Sequence, residues 1–419
     1  MADNNMQGFI RRCIIVEPFL TGFAGHSFTV CRAIRSALEK QGVEVVILAN
    51  KEAGHELLNS LGALPVFCSD FIEEDTEFPA FIPAAFKRMW LAYRHGMADL
   101  KKGFPPSQLR PGDIIFAYTM TTNWVLPLWH WARLSPYRAS LKIVWQFFFP
   151  LASTGPGILA RFLFRRFYRL LFAGLIRDFK TGNLLLCSDT EFRAAEYSQA
   201  TGFNFGVLPM ATERDPLMTA EARQKKLRLS SLGPARTVKG IEAVAELAIR
   251  LQDLLKSGRV EFFIQANPQP EGDKRVISAI HALRHSNLPN LELIDEPLSP
   301  TDYQIALTET DIMLLPYDPA VYGLSRTSGV FAESMAMGIP MVVPCYTWTA
   351  QQCQRYKTGV VFTYNDAADF EAAVREAIIK YPEYKKQALT AAKGWHQDHG
   401  AEALAAIITG CKKPVKTGI

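Results

Sequence analysis

Arg12 to Glu17 (R-C-I-I-V-E) constrains the fold more than any other stretch of this chain. It is a short, mostly β-branched apolar run that reads as a buried strand. A loop bearing Pro and Gly follows, Pro18 to Gly25. From His26 to Gln41 the residues Phe28, Val30, Cys31, Ile34, Ala37 and Leu38 recur at helical spacing, and Gly42 stops the helix. Val43–Ala49 (V-E-V-V-I-L-A) is a second strand. Strand, helix and strand in this order require a crossover and therefore a parallel sheet.

The pattern continues through strand candidates at Asp113–Tyr118, Lys142–Phe149 and Asn183–Ser188. It then restarts. Leu227–Leu232 is a strand, Gly233 to Val238 a loop and Lys239 to Leu255 a helix, with strands following at Val260–Ala266, Leu291–Ile294, Ile312–Pro316 and Met341–Pro344. The expected organisation is two α/β domains, 1–208 and 209–382, followed by a helical segment and basic tail, 383–419, that packs back towards the first domain. That last segment reads as helices broken near Gly394 and Gly400. Two such domains usually leave a ligand cleft at the carboxyl ends of their strands.

Composition narrows the function classes. The 419 residues are 48% hydrophobic, which excludes disorder for most of the length, and the formal charge of +5 is too small and too mixed for a dedicated nucleic-acid binder. The seven cysteines are odd in number, scattered and never spaced C-x-x-C, so a disulfide framework and a Cys-type zinc site are both unsupported. A reduced, cytoplasmic setting is expected. The start is polar with no apolar signal core, and no stretch reaches the ~18 uncharged apolar residues of a membrane span.

Several motif matches fail on inspection. Gly233 to Gly240 resembles a P-loop, but Val238 precedes Lys239 and Gly240 follows it, where Walker A needs Gly and then Ser or Thr. Gly323-Leu324-Ser325-Arg326-Thr327 lacks the last glycine of G-x-S-x-G. His281 and His285 have Ala282 where H-E-x-x-H needs Glu, and these histidines, like His396 and His399, are expected to be structural.

Three features converge on an anionic, hydroxyl-bearing ligand. Gly22 and Gly25 lie in the loop that opens the first helix, where backbone N–H groups can approach a ligand. Arg236 and Lys239 combine a planar fork with a mobile point charge, which suits a diphosphate. The third runs from Leu314 to Val343. Thr327 or Ser328 can cap the next helix, Gly329 opens its first turn, and Glu333 lies on it among apolar residues, where a carboxylate needs hydroxyl donors such as those of a ribose.

These residues resemble the retaining, nucleotide-sugar-dependent glycosyltransferases of family 4, also called group 1, which have the GT-B fold. Gly233 to Gly240 matches the family's G-R-L-x-x-x-K-G-like turn, with Arg and Lys closer together. From Glu333 to Val342 (E-S-M-A-M-G-I-P-M-V) the chain matches the second half of the family's E-x7-E and A-x-x-x-G-x-P-V-V pattern. The resemblance covers Leu227–Tyr364 most strongly. It implies two Rossmann-like parallel-sheet domains facing a central cleft, the first binding acceptor and the second nucleotide sugar. It also implies Arg236 and Lys239 on the donor diphosphate, Glu333 on the ribose, and Ser328, Gly329 and Val330 on phosphate or sugar. Glu296 and Leu298 fall where the family contacts the base. Ser325 stands where the family has its first Glu, with Arg326 and Thr327 beside it, and the His that many relatives carry in the first domain is missing.

The reaction so implied is transfer of a sugar from a nucleotide-diphosphate sugar to a glycan or glycolipid acceptor with retention, in polysaccharide or glycoconjugate biosynthesis, with no metal and no cofactor. Two alternatives stay open: a non-catalytic nucleotide-sugar-binding protein and a nucleotide-sugar epimerase. Leu159–Lys180 adds a partner. Arg161, Arg165 and Arg169 align at four-residue spacing among Phe and Leu, as in a basic amphipathic helix lying on anionic lipid at the inner face of a membrane. The same pattern also fits a core-packed helix with its arginines in water.

Overall fold

The computed structural model describes residues 11–23, 26–68, 82–149, 158–179, 183–212, 226–268 and 273–414. The chain divides into two units, Met1–Ala211 with Ala401–Ile419, and Thr212–Gly400.

In the first unit seven strands form one sheet in the order β3-β2-β1-β4-β5-β6-β7. These are β1 (Arg12–Val16), β2 (Glu44–Asn50), β3 (Ala63–Phe67), β4 (Ile114–Met120), β5 (Lys142–Phe147), β6 (Leu184–Ser188) and β7 (Gly206–Val207). All six pairings are parallel. The opening run occupies the middle of this sheet and is buried on both faces. Ile14 and Val16 belong to one apolar core, and Cys13 and Ile15 to the other. Helices α1 (His26–Lys40), α2 (His55–Leu61), α3 (Ile82–Gly103), α4 (Thr122–Arg133), α5 (Ile158–Asp178) and α6 (Glu191–Thr201) connect the strands.

The second unit repeats the plan with six strands in the order β10-β9-β8-β11-β12-β13. They are β8 (Leu227–Ser231), β9 (Val260–Gln265), β10 (Leu291–Ile294), β11 (Ile312–Leu314), β12 (Met341–Pro344) and β13 (Gly359–Phe362), again all parallel. In both sheets the order reverses beside the first strand, between β1 and β4 and between β8 and β11. That reversal is where an open parallel sheet leaves a crevice at its carboxyl edge.

Two local expectations are corrected. The helix predicted for Lys239 to Leu255 is three pieces: a 3-10 turn at Thr237–Lys239, α7 (Ile241–Arg250) and α8 (Gln252–Lys256). Gly240, at φ +74°, breaks the first junction. Gly394 does not break the late helix, which runs through it as α14 (Tyr381–His399); the break is at Gly400, before α15 (Ala401–Thr409). Helix α14 packs in the second unit, and α15 lies against α1 in the first. All seven cysteines are free thiols.

Candidate functional site

In the second unit the loops leaving β8 and β11, the two strands of the reversal, carry most of the predicted residues. The β8 loop bends at Gly233 (φ +91°), whose N–H donates to Gln265 Oε1 at the end of β9, 2.7 Å away. A side chain at 233 would place its Cβ 2.7 Å from the Lys239 amine and 3.7 Å from Val330. The glycine thus lets the lysine fold back against the start of α11 (Gly329–Ala336). Gly240 has a different cause: a Cβ there would lie 2.2 Å from the carbonyl oxygen of Pro316, in the loop after β11. The N–H of Asp318 in that loop donates to the Val238 carbonyl at 3.0 Å, so the two loops are tied together.

This places three cations near one another. Burial, with Arg236 and Arg326 as like-charged neighbours, pulls the Lys239 ammonium down from 10.5 to about 8. Among the described residues no carboxylate forms an ion pair with Lys239, in contrast to Arg228, which is paired with Glu261 and Glu309, and Arg375, which is paired with Asp253 and Glu371. The Arg326 guanidinium lies over the Tyr322 ring, 4.5 Å from its centre, and Tyr322 packs on the buried Tyr317.

Ser328, rather than Thr327, caps α11, its Oγ accepting the Phe331 N–H at 3.2 Å. The N–H groups of the first turn, from Gly329 and Val330, then point out of the helix without intrahelical acceptors. A Cβ on Gly329 would meet no protein atom within 4 Å, so this glycine is not required by the unit's own packing.

One turn into α11, Glu333 accepts a 2.5 Å hydrogen bond from the phenol of Tyr303 on α10 (Pro300–Thr308). Burial pushes the Glu333 carboxyl up to about 7, the Tyr303 bond opposing it, and the same burial and the facing carboxylate push the Tyr303 phenol well above its ordinary value. Tyr317 bridges the two ends of the site, near Glu333 on one side and Arg326 on the other. The result is a bipolar cluster at the edge where such a sheet leaves a crevice, with a carboxylate at one end and a group of cations at the other.

Of the remaining predicted residues, Ser325 and Thr327 are half-buried and Arg326 is exposed on the loop before α11. Glu296 is exposed and Leu298 half-buried after β10. Gly22 is half-buried in the first unit, between β1 and α1, and Gly25 lies outside the described residues. The four histidines have structural partners: His281 and His285 stack at 3.9 Å, His396 Nε2 bonds the Ala336 carbonyl, and His399 stacks on Trp395. Sequence reasoning missed Tyr303 and Gln265. No motif links either to its partner, since each lies about thirty residues away on another element.

No family model matches the chain, and no curated protein matches its sequence. Solved structures do. The chain is similar to the trehalose-6-phosphate protein of E. coli bound with UDP-2-fluoro glucose, at 13% identity and TM-score 0.63, covering 97% of this chain and all of that one. It is similar to sucrose-phosphate synthase from Thermosynechococcus elongatus at 11% identity and TM-score 0.62, over 96% and 98% of the two chains. A third is WaaG, a glycosyltransferase involved in lipopolysaccharide biosynthesis, at 14% identity and TM-score 0.55, over 96% and 100%.

The chain has the GT-B fold. Within that fold the bipolar cluster belongs to the second Rossmann-like unit, at the carboxyl edge of its sheet.

Proposed function

We propose that the chain is a glycosyltransferase that uses a nucleotide-diphosphate sugar as donor. The observation that carries this reading is that Tyr317 lies between Glu333 on one side and Arg326 on the other, with Arg326 in turn beside Lys239 and Arg236. A nucleoside diphosphate has the complementary order, with ribose hydroxyls at one end and two phosphates at the other. In this reading Glu333 accepts from the ribose, and Arg236 and Lys239 neutralise the diphosphate. The first-turn N–H groups of Gly329 and Val330 meet phosphate or sugar. Glu296 and Leu298 face the base, and Ser325, Arg326, Thr327 and Ser328 surround the sugar.

Such a site lowers the barrier by stabilising charge on the departing diphosphate. Lys239 and Arg236 carry that role here, with no metal or cofactor invoked. The acceptor then attacks the sugar face from which the diphosphate leaves, and the configuration is retained. The first unit takes the acceptor side of the reaction, and Gly22 and Gly25 in its opening loop are assigned to donor binding. A lipid-linked glycan is the acceptor class that the basic helix α5 supports, and the proposed setting is the cytoplasmic face of a membrane in polysaccharide or glycolipid assembly.

A thermal-shift screen of nucleotide sugars, run with the wild type and Glu333→Ala, tests the reading. One or a few donors should raise the melting temperature of the wild type and leave the variant unmoved. Equal stabilisation by every donor in both proteins would defeat it. Anomer-resolved NMR of the product decides retention, and binding without transfer to any acceptor would reassign the chain as a nucleotide-sugar-binding protein.

A further inference from the structure

A cavity lies in the first unit. Trp90 and Tyr93 of α3, Leu126, Trp129 and Arg133 of α4, and Phe167 of α5 enclose about 400 Å³, within the range of small-molecule sites. Its polar tips are already paired with one another. Trp129 Nε1 donates to Asp178 at 3.0 Å, and the Tyr93 hydroxyl meets His130 Nδ1 at 2.5 Å. Burial, with Lys101 and Arg133 nearby, lowers the His130 imidazole from its ordinary value. What the cavity offers a ligand is therefore apolar surface. Gly174 on α5 is part of its construction, since a Cβ there would lie 2.8 Å from the Trp129 ring.

The surface around the opening is apolar and basic together. Trp90 is 58% exposed, and on α5 Phe162 and Leu170 are 60% and 68% exposed. Isolated exposed apolar residues need no explanation, but three large ones beside an apolar cavity do. The core side of α5 is supplied by Tyr168, Leu171, Phe172 and Leu175, so the exposed stripe is surplus to the fold. That stripe carries Arg165, Arg166 and Arg169, all exposed, among its apolar residues. Over α3, α4 and α5 there are eleven lysines and arginines against two aspartates. One of these, Asp99, is buried, and the other, Asp178, faces Arg133 and Arg177 at 3.4 and 3.8 Å. Among the described residues no helix is long and apolar enough to cross a membrane.

We propose that the α3–α4–α5 face docks on an anionic lipid bilayer and that its aromatic cavity receives one lipid hydrocarbon chain. The cations meet the headgroups, and Phe162, Leu170 and Trp90 enter the interface. An apolar tail fits a cavity whose polar atoms are satisfied, whereas a sugar would find few partners there. The inference does not depend on the identity of the donor.

Tryptophan fluorescence tests it on the full chain. Five of the seven tryptophans, Trp124, Trp131, Trp145, Trp348 and Trp395, are at most 3% exposed, so lipid bromine can reach only Trp90 and Trp129. The protein should co-sediment with phosphatidylcholine vesicles containing phosphatidylglycerol, and chain-brominated lipid should quench its emission. Arg165→Glu with Arg169→Glu should weaken partitioning by about tenfold or more. Trp90→Phe should keep most of the sedimentation and lose part of the quenching, and Trp90→Phe with Trp129→Phe should lose nearly all of it. Failure to sediment with anionic vesicles overturns the proposal, and so does sedimentation without quenching by chain bromines. Dimerisation through this face, abolished by Trp90→Ala and unaffected by lipid, would give the face to a second copy instead. Unchanged nucleotide-sugar thermal shifts in the variants would show that the donor site is intact.

Discussion

Tyr303 and Glu333, thirty residues apart and on different helices, share a 2.5 Å hydrogen bond with the phenol donating. The bond holds the Glu333 carboxyl on the crevice side of α11 and offsets part of its burial. Tyr303→Phe should therefore raise the Glu333 carboxyl further and cost about 1–3 kcal/mol of stability, as for other hydrogen bonds to charged groups. Its donor affinity should fall by several-fold, less than the loss in Glu333→Ala, which removes the ribose acceptor itself. Calorimetric titration of both variants with the best donor from the screen ranks the two.

Lys239 should separate stability from function. Its ammonium is buried beside two guanidiniums, so Lys239→Met should leave the ligand-free protein at least as stable as the wild type. The same change should weaken donor binding by tenfold or more. The pH dependence follows from the sign of the shift. The folded-state value lies below the ordinary 10.5, so the folded protein binds fewer protons than the unfolded one between pH 8 and 10.5, and stability rises with pH across that window. Donor affinity should move the other way, falling above about pH 8 as the ammonium is lost. A dissociation constant that stays flat from pH 7 to 9.5 would remove Lys239 from the site.

Glu17, at the carboxyl end of β1, is fully buried, and burial raises its carboxyl to about 7 against the opposing hydroxyls of Thr119 and Ser27. Cys31, Tyr118 and, through Tyr118, Asp189 are its titratable neighbours. Between pH 4.5 and 7 the folded state holds this proton more tightly than the unfolded one, so its contribution is present below 4.5 and lost as pH rises through 7. Glu17→Gln should match the wild type at pH 5 and exceed it at pH 8 by up to about 3 kcal/mol. Denaturation curves of both proteins at the two pH values give the difference directly.

Three glycines of the second unit should respond in three ways to alanine. Gly240→Ala collides with the Pro316 backbone at positive φ and should cost more than about 2 kcal/mol, with donor binding lost only through unfolding. Gly233→Ala is also strained at positive φ and displaces the flexible tip of Lys239, so a stability loss of about 1–3 kcal/mol should accompany a clear loss of affinity in the protein that remains folded. Gly329→Ala meets no protein atom and should be neutral or slightly stabilising, yet it should weaken donor binding where ligand fills that space. Melting temperature and donor affinity, measured on the three variants, distinguish the cases.

Central strands were all legible in the sequence, whereas of the four edge strands only β10 was. β1, β4, β5 and β11 are apolar runs largely buried on both sides, β8 is a more polar run (L-R-L-S-S), and all five ranges match the expected ones to within two residues. The strands that escaped notice, β3, β7 and β13, are all at sheet edges, and with one neighbour each they need less continuous apolar sequence. The 3-10 turn before α7 was hidden because Val238 and Ile241 keep helical spacing across Gly240. The turn is set by Pro316, which sequence spacing does not bring near. In the site, residues that bear charge in a local motif, such as Lys239 and Glu333, were legible. Residues that position them from other strands and helices, such as Gln265 and Tyr303, were not, because that adjacency is created only by the parallel sheet order.

The return of α15 to the first unit has a consequence for synthesis. Leu404, Ala405, Ile407 and Ile408 complete the same apolar core as Ile34 and Leu38 of α1, whereas the second unit is one uninterrupted stretch, Thr212–Gly400. On the ribosome the later unit therefore has all of its parts before the earlier one does. At ~5–20 residues per second, α1 emerges and then waits on the order of ten seconds or more with that face uncovered. The half of the protein made first is the last to close.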